Sequence, residues 1–223
     1  MKDRIKLGIS ACLLGEKVRY DGGHKLDRYL KDTLGQFIEW VPVCPEVESG
    51  LPVPREAMRL VGSLEVPRLL KSRSGEDYTD HMLRWAEKRL SEFEREDLCG
   101  FIFKSKSPSS GLRGVKVYGS SDIPRHTGTG IFAKAFMEKF PYTPVEDDGR
   151  LSDPDLRENF IERVFIFKRW KEFRGKGSAR DLIEFHTGHK LLSSRTVPGI
   201  TAPWGTLSRT PKNTSPIFFM QNT

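Results

Sequence analysis

The spacing of apolar positions changes several times along the chain, and each change predicts an element. Ile5-Lys6-Leu7-Gly8-Ile9 is a short, mostly apolar run of the kind a buried strand uses. In HKLDRYLKDTLG (24–35), Leu26, Tyr29, Leu30 and Leu34 fall at helical spacing, with Gly35 placed to close the helix. FIEWVPV (37–43) predicts a second strand, and prolines at 42, 45, 52, 54 and 67 predict a rigid, irregular loop beyond it. DHMLRWAEKRLSEFE (80–94) sets Met82, Leu83, Ala86, Leu90 and Phe93 on one face of an amphipathic helix. A third strand is expected around 98–104, then a Gly/Ser/Pro turn in SPSSGLRG and a short strand at VKVY (115–118). GTGIFAKAFMEKF (128–140) predicts a helix packing Ile131, Phe132, Ala135 and Phe136.

Alternating strands and helices predict an α/β fold, a three-layer sandwich with a mostly parallel sheet. Ligands bind such sheets beyond the carboxyl ends of the strands. SACLLG, CPE and SKSPSSG are all expected at that one edge, so three loops distant in sequence can build one site. This domain is expected over 1–145, with YTPVEDDGRLSDP (142–154) as a linker. Ser152-Asp153-Pro154 starts a long helix running to Arg174, and Ser178 with Asp181 forms a capping box for a second. Residues 152–192 thus form a short C-terminal helical segment. Beyond 192 the helical period vanishes, and no acidic residue occurs from Phe185 to the end. Residues 193–223 are expected to be a disordered or frameshifted tail.

Bulk properties narrow the function classes. At 223 residues and 37% hydrophobic content, the chain can bury one full core and a small appendage. It has no stretch of about 18 apolar residues, and MKDRIKLGIS lacks the apolar run of an export signal. A cytoplasmic protein with no membrane partner is expected. The net charge of +7 divides into 25 Lys and Arg against 23 Asp and Glu in residues 1–150, and 12 against 7 in 151–223. Neither part has a dense basic run, so charge alone argues only weakly for nucleic acid as a partner.

Three cysteines, an odd number, argue against a disulfide framework. Widely separated thiols are buried fillers, nucleophiles or soft-metal ligands. Cys12 and Cys44 share a setting at a strand's end, and their spacing is not the C-x-x-C of structural zinc. Glu46 is either a solvated loop carboxylate or, beside a metal-binding cysteine, a proton shuttle. SKSPSSG, with Lys104, Lys106 and Ser107, is either a solvated turn or a cradle for an anionic or carbonyl-bearing ligand. Gly128-Thr129-Gly130 opens a helix that could take an anion. His186 and His189, at i and i+3, suit a polar helix face better than a two-ligand metal site.

Together SACLLGEKVRYDGGHK, VPVCPEVESGLPVPRE, FIFKSKSPSSGLRGVKVY and GTGIFAKAF resemble the domain-of-unknown-function family 523, which includes 2-thiouracil desulfurases. Residues from 152 onward, DPDLRENFIERVFIFKRWKEF and DLIEFHTGHKLL, resemble the start of domain-of-unknown-function family 1722. The first resemblance implies an α/β domain holding a [4Fe-4S] cluster by three cysteines, with one iron open to a small thiocarbonyl substrate. It also implies that this iron acts as a Lewis acid while water replaces sulfur, without net redox. By motif, Cys12 and Cys44 match two cluster ligands, Glu46 the acidic residue of proton transfer, and Ser107 the first serine of S-P-S-C-G. Ser110 stands where the third ligand is a cysteine in that family, and a hydroxyl is a hard partner for cluster iron. Cys99, at the start of its strand, is expected on the far side of the sheet. The alternative to a desulfurase is a non-catalytic member that binds a small ligand or partner without an intact cluster.

Overall fold

The computed structural model describes residues 4–119 and 123–174. The chain divides into two compact units, Met1–Glu172 and Phe173–Thr223, and the account below concerns the first. The expected capping box at Ser178 and Asp181, the His186 and His189 pair and the tail at 193–223 lie outside the described residues.

A four-stranded, wholly parallel sheet forms the centre, built from β1 (Ile5–Ser10), β2 (Ile38–Val43), β5 (Phe101–Phe103) and β8 (Val145–Asp147) in the order β2-β1-β5-β8. Parallel strands covered on both faces need apolar side chains on both. Ile5, Leu7 and Ile9 of β1 pack into a cluster with Leu30, Leu34, Ile38 and Ile102, joined by Phe160 and Val164 of α4 (Pro154–Arg174). On the opposite face, Phe101 and Phe103 stack at 4.3 Å between ring centres and meet Phe93 of α2 (Thr79–Glu96) and Phe132 and Phe136 of α3 (Ile131–Lys139). Gly8 makes that arrangement possible, because a Cβ there would lie 2.1 Å from Cδ2 of Phe101. The resulting helix, sheet and helix layers match the expected three-layer sandwich.

A second sheet lies beside it in the order β4-β3-β6-β7. β3 (Met58–Gly62) pairs antiparallel with β4 (Pro67–Lys71) and parallel with β6 (Val115–Tyr118), which pairs antiparallel with β7 (Arg125–Gly128). Leu60, Leu69, Val115 and Val117 pack there against Tyr78, Met82 and Ile131.

Several expectations are corrected. The proline-rich segment after β2 is not an irregular loop throughout, since it carries the four-residue α1 (Pro45–Glu48) and the β3-β4 hairpin. Residues 24–35 form no regular helix. A wide helical turn at Tyr29–Thr33 runs into a tight one at Leu34–Gln36, and Gly35 lies inside the latter. Asp27 starts that turn by accepting the Leu30 amide at 3.0 Å, which leaves Leu26 outside it and exposed. The segment 142–154, expected as a linker, supplies β8, whose Glu146 and Asp147 are buried because Arg113 and Arg150 pair with them. Leu83, expected on the inner face of α2, is 42% exposed. Among the described residues no helix is long and apolar enough to cross a membrane.

Candidate functional site

The loops that follow β1, β2 and β5 leave the same edge of the central sheet and line one cavity of about 440 Å³. Cys12, Cys44, Glu46, Ser107 and Ser110 all face it.

Cys12 sits in a tight helical turn, Ala11–Leu14, that ends at Gly15 with φ +95°, a conformation glycine adopts without strain. The Cys12 carbonyl accepts the Lys25 amide at 2.9 Å, which folds SACLLGEKVRYDGGHK back over the cavity mouth. Burial, and secondarily the nearby Cys44 thiol, push Cys12 from 9.0 to about 11. Cys44 caps α1, with Pro45 as the first helical residue. Its amide donates to Glu48 Oε1 at 2.9 Å, while the Glu48 amide donates back to the Cys44 carbonyl at 2.9 Å. Burial raises the Cys44 thiol too, and its Sγ points to the Val18 carbonyl at 3.6 Å.

Glu46, two residues on, is held from both sides. Arg55 places Nε at 2.7 Å and Nη2 at 2.6 Å from Glu46 Oε2, and Nη2 also donates to the Val18 carbonyl at 2.9 Å. Ser109 Oγ donates to the other carboxylate oxygen, Oε1, at 2.8 Å. Ser109 in turn meets Ser107 Oγ at 3.0 Å, and the Ser110 amide donates to Ser107 Oγ at 3.2 Å.

The serine loop is set by backbone contacts. The Gly111 amide donates to the Ser107 carbonyl at 2.7 Å, and the amides of Ile131 and Phe132 donate to the Pro108 and Ser109 carbonyls at 3.2 and 2.8 Å. The first turn of α3 is therefore spent on this loop, and the expected anion site at Gly128-Thr129-Gly130 is not formed. Gly130 is there for close approach, since a Cβ would lie 2.6 Å from the Ser109 carbonyl. Lys104, expected as a cradle cation, pairs with Asp148 at 2.8 Å and with Ser105 Oγ at 2.9 Å. Lys106, with φ +61°, stands exposed at the rim.

The cavity offers two thiols and, at the third corner, a hydroxyl. Cys99 lies at the opposite end of the sheet, where its amide donates to the Lys6 carbonyl at 2.9 Å and its side chain is buried in the core. Among the described residues no three His, Cys, Asp or Glu side chains converge to hold a metal ion. The donor set thus suits a soft metal group at Cys12 and Cys44 and departs from a three-thiolate cluster at Ser110. Sequence reasoning missed Arg55 and Ser109. Both had a signal: Ser109 is flanked by Ser107 and Ser110, and Arg55 lies in VPVCPEVESGLPVPRE, the stretch that also carries Cys44 and Glu46.

The sequence model of the 2-thiouracil desulfurase family matches residues 7–148. The uncharacterized protein YbbK of Bacillus subtilis is 28% identical over 145 residues, which is 63% of this chain and 94% of that protein. Among solved structures, the [4Fe-4S]-dependent thiouracil desulfidase TudS aligns with a TM-score of 0.54 at 29% identity, over 69% of this chain and 96% of that one.

Proposed function

The chain belongs to the 2-thiouracil desulfurase family, and from that premise we propose that it replaces the thiocarbonyl sulfur of a thiouracil-type small molecule by oxygen. Water supplies the oxygen and sulfur leaves as sulfide, so no electron is gained or lost. The observation that carries this reading is the convergence of Cys12, Cys44, Glu46 and Ser107 on one cavity from three separate loops.

The cofactor in this reading is a [4Fe-4S] cluster, which supplies a soft Lewis acid for a thiocarbonyl sulfur. Cys12 and Cys44 would hold two corners, and no third thiolate is at hand among the described residues. The chain's own residues do the rest. Glu46, paired with Arg55, is a carboxylate placed to hold a proton, and Ser107 presents an oxygen to the cavity. The basic rim, with Arg19, Lys25 and Lys106, draws an electron-rich ring toward it.

One observation favours a second reading. With Ser110 at the third corner, the protein can be a member that retains the cavity and binds a small ligand without turning it over. Anaerobic reconstitution with iron and sulfide separates the two, with the visible cluster absorbance and sulfide release from 2-thiouracil followed in the wild type and in Ser110→Cys. The desulfurase reading expects both signals in the wild type. If both are absent there and gained in the variant, the second reading stands; if neither protein shows them, the family activity does not extend to this chain.

A further inference from the structure

We infer that Ser109 is the middle member of a proton relay that joins Ser107 to Glu46. The inference rests on the desulfurase reading for its chemistry and on three hydrogen bonds for its direction. Arg55 directs two N–H groups at Glu46 Oε2, which leaves Oε1 as the carboxylate oxygen open to a proton. A carboxylate only accepts, so Ser109 Oγ must spend its hydrogen on Oε1, 2.8 Å away. Ser109 Oγ can then meet Ser107 Oγ, 3.0 Å away, only as an acceptor. The Ser107 hydrogen is thereby committed to Ser109, and one of its lone pairs takes the Ser110 amide at 3.2 Å. What Ser107 keeps for the cavity is a single acceptor site.

That order makes the chain a one-way conductor in the resting state. When the attacking water gives a proton to Ser107 Oγ, the Ser107 hydrogen moves to Ser109 Oγ and the Ser109 hydrogen to Glu46 Oε1. One O–H bond breaks at the water, one forms at Glu46, and each serine ends with the single hydrogen it began with. The hydrogen bonds then run the other way, so Ser107 becomes a donor and can return the proton to the departing sulfur, which leaves as hydrosulfide while the second water hydrogen passes to solvent as the carbonyl forms. Ser109 itself is only 2% exposed, and its carbonyl is anchored by the Phe132 amide. Its hydroxyl is therefore not what holds the loop, and removing it should interrupt the relay without unseating Ser107.

The test compares Ser109→Ala, Ser109→Thr, Ser107→Ala and the double alanine variant in the reconstituted full chain with 2-thiouracil. Ser109→Ala should lower kcat about a hundred-fold with KM unchanged. Threonine should restore most of it. The double variant should be no slower than Ser107→Ala, because the two groups act in series. A loss confined to KM, a double variant showing the product of the two losses, or a threonine variant as slow as alanine would each overturn the relay. If the wild type releases no sulfide, the desulfurase reading fails and the relay is judged on its hydrogen bonds alone. The isotope-edited infrared carboxylate band of Glu46, identified by its loss in Glu46→Gln, should then move in Ser109→Ala and return in Ser109→Thr; a band unmoved in Ser109→Ala sinks the inference.

Discussion

Gly130 stands so close to Ser109 that a methyl group on its Cα would lie 2.6 Å from both the carbonyl carbon and the carbonyl oxygen of that serine. Neither partner is the free end of a side chain, so backbone must move to admit it. Gly130→Ala is expected to destabilise the fold by about 1–3 kcal/mol and, under the desulfurase reading, to weaken 2-thiouracil binding, because the displaced loop carries Ser107 and Ser110. Denaturant titration and calorimetry check this against Gly119→Ala, where a Cβ meets nothing within 4 Å and both quantities should hold.

The Arg55 and Glu46 side chains are 4% and 14% exposed, so the charge left when the other is removed is poorly hydrated. Arg55→Met is expected to cost about 3–5 kcal/mol of stability by stranding the carboxylate. Adding Glu46→Gln should recover part of that loss, which equilibrium unfolding of the two single variants and the double variant measures directly.

Ser110 is 5% exposed and differs from cysteine by one atom, so Ser110→Cys should change stability by less than about 1 kcal/mol. Under the desulfurase reading, its effect falls on the reconstituted cluster. After anaerobic reconstitution, iron should leave the variant more slowly than the wild type under a chelator, as a soft thiolate replaces a hard hydroxyl. Equal rates of iron release would place Ser110 outside the ligand set.

Burial, with the Cys44 thiol adding to it, raises Cys12 from 9.0 to about 11 in the folded, metal-free protein. A group that holds its proton more tightly when folded favours folding fully below its unfolded value and loses that contribution as the pH climbs through the folded one. Stability should therefore be level up to about pH 9 and then fall by roughly 2–3 kcal/mol toward pH 11. Cys12→Ser should make that alkaline limb shallower in a pH series of urea unfolding curves, and the remainder belongs to Cys44 and Cys99, which burial also raises.

The central sheet and its edge were legible in the sequence because buried parallel strands read as mostly apolar runs. Ile5 to Ile9 and the stretch around Phe101 did so, and α2 announced itself through Met82, Ala86, Leu90 and Phe93 at one period. The β3-β4 hairpin was hidden among prolines 52, 54 and 67, and its inward residues, Leu60 and Leu69, are too few to set a period. β8 was hidden in an acidic segment because its burial depends on arginines elsewhere in the chain, Arg113 among them. In the site, Cys12, Cys44, Glu46 and Ser107 stood out by motif. The bonds between them did not, since the contact from Ser109 to Glu46 spans 63 residues and follows no local pattern.

The strand order β2-β1-β5 also acts as a ruler. Adjacent strands stand about 4.8 Å apart, so the loops bearing Cys44, Cys12 and the serines leave the sheet at evenly spaced points that no loop sequence has to encode. Ser10 is locked opposite Val43 in that register, and its hydroxyl also accepts the Lys104 amide at 2.8 Å from the other side. A slip of one residue in β1 would drive a side chain into the space that Gly8 leaves for Phe101 and carry Cys12 out of line with both neighbours. The points from which the cavity walls depart are in this sense a property of the backbone ladder, and the loops decide what each point carries.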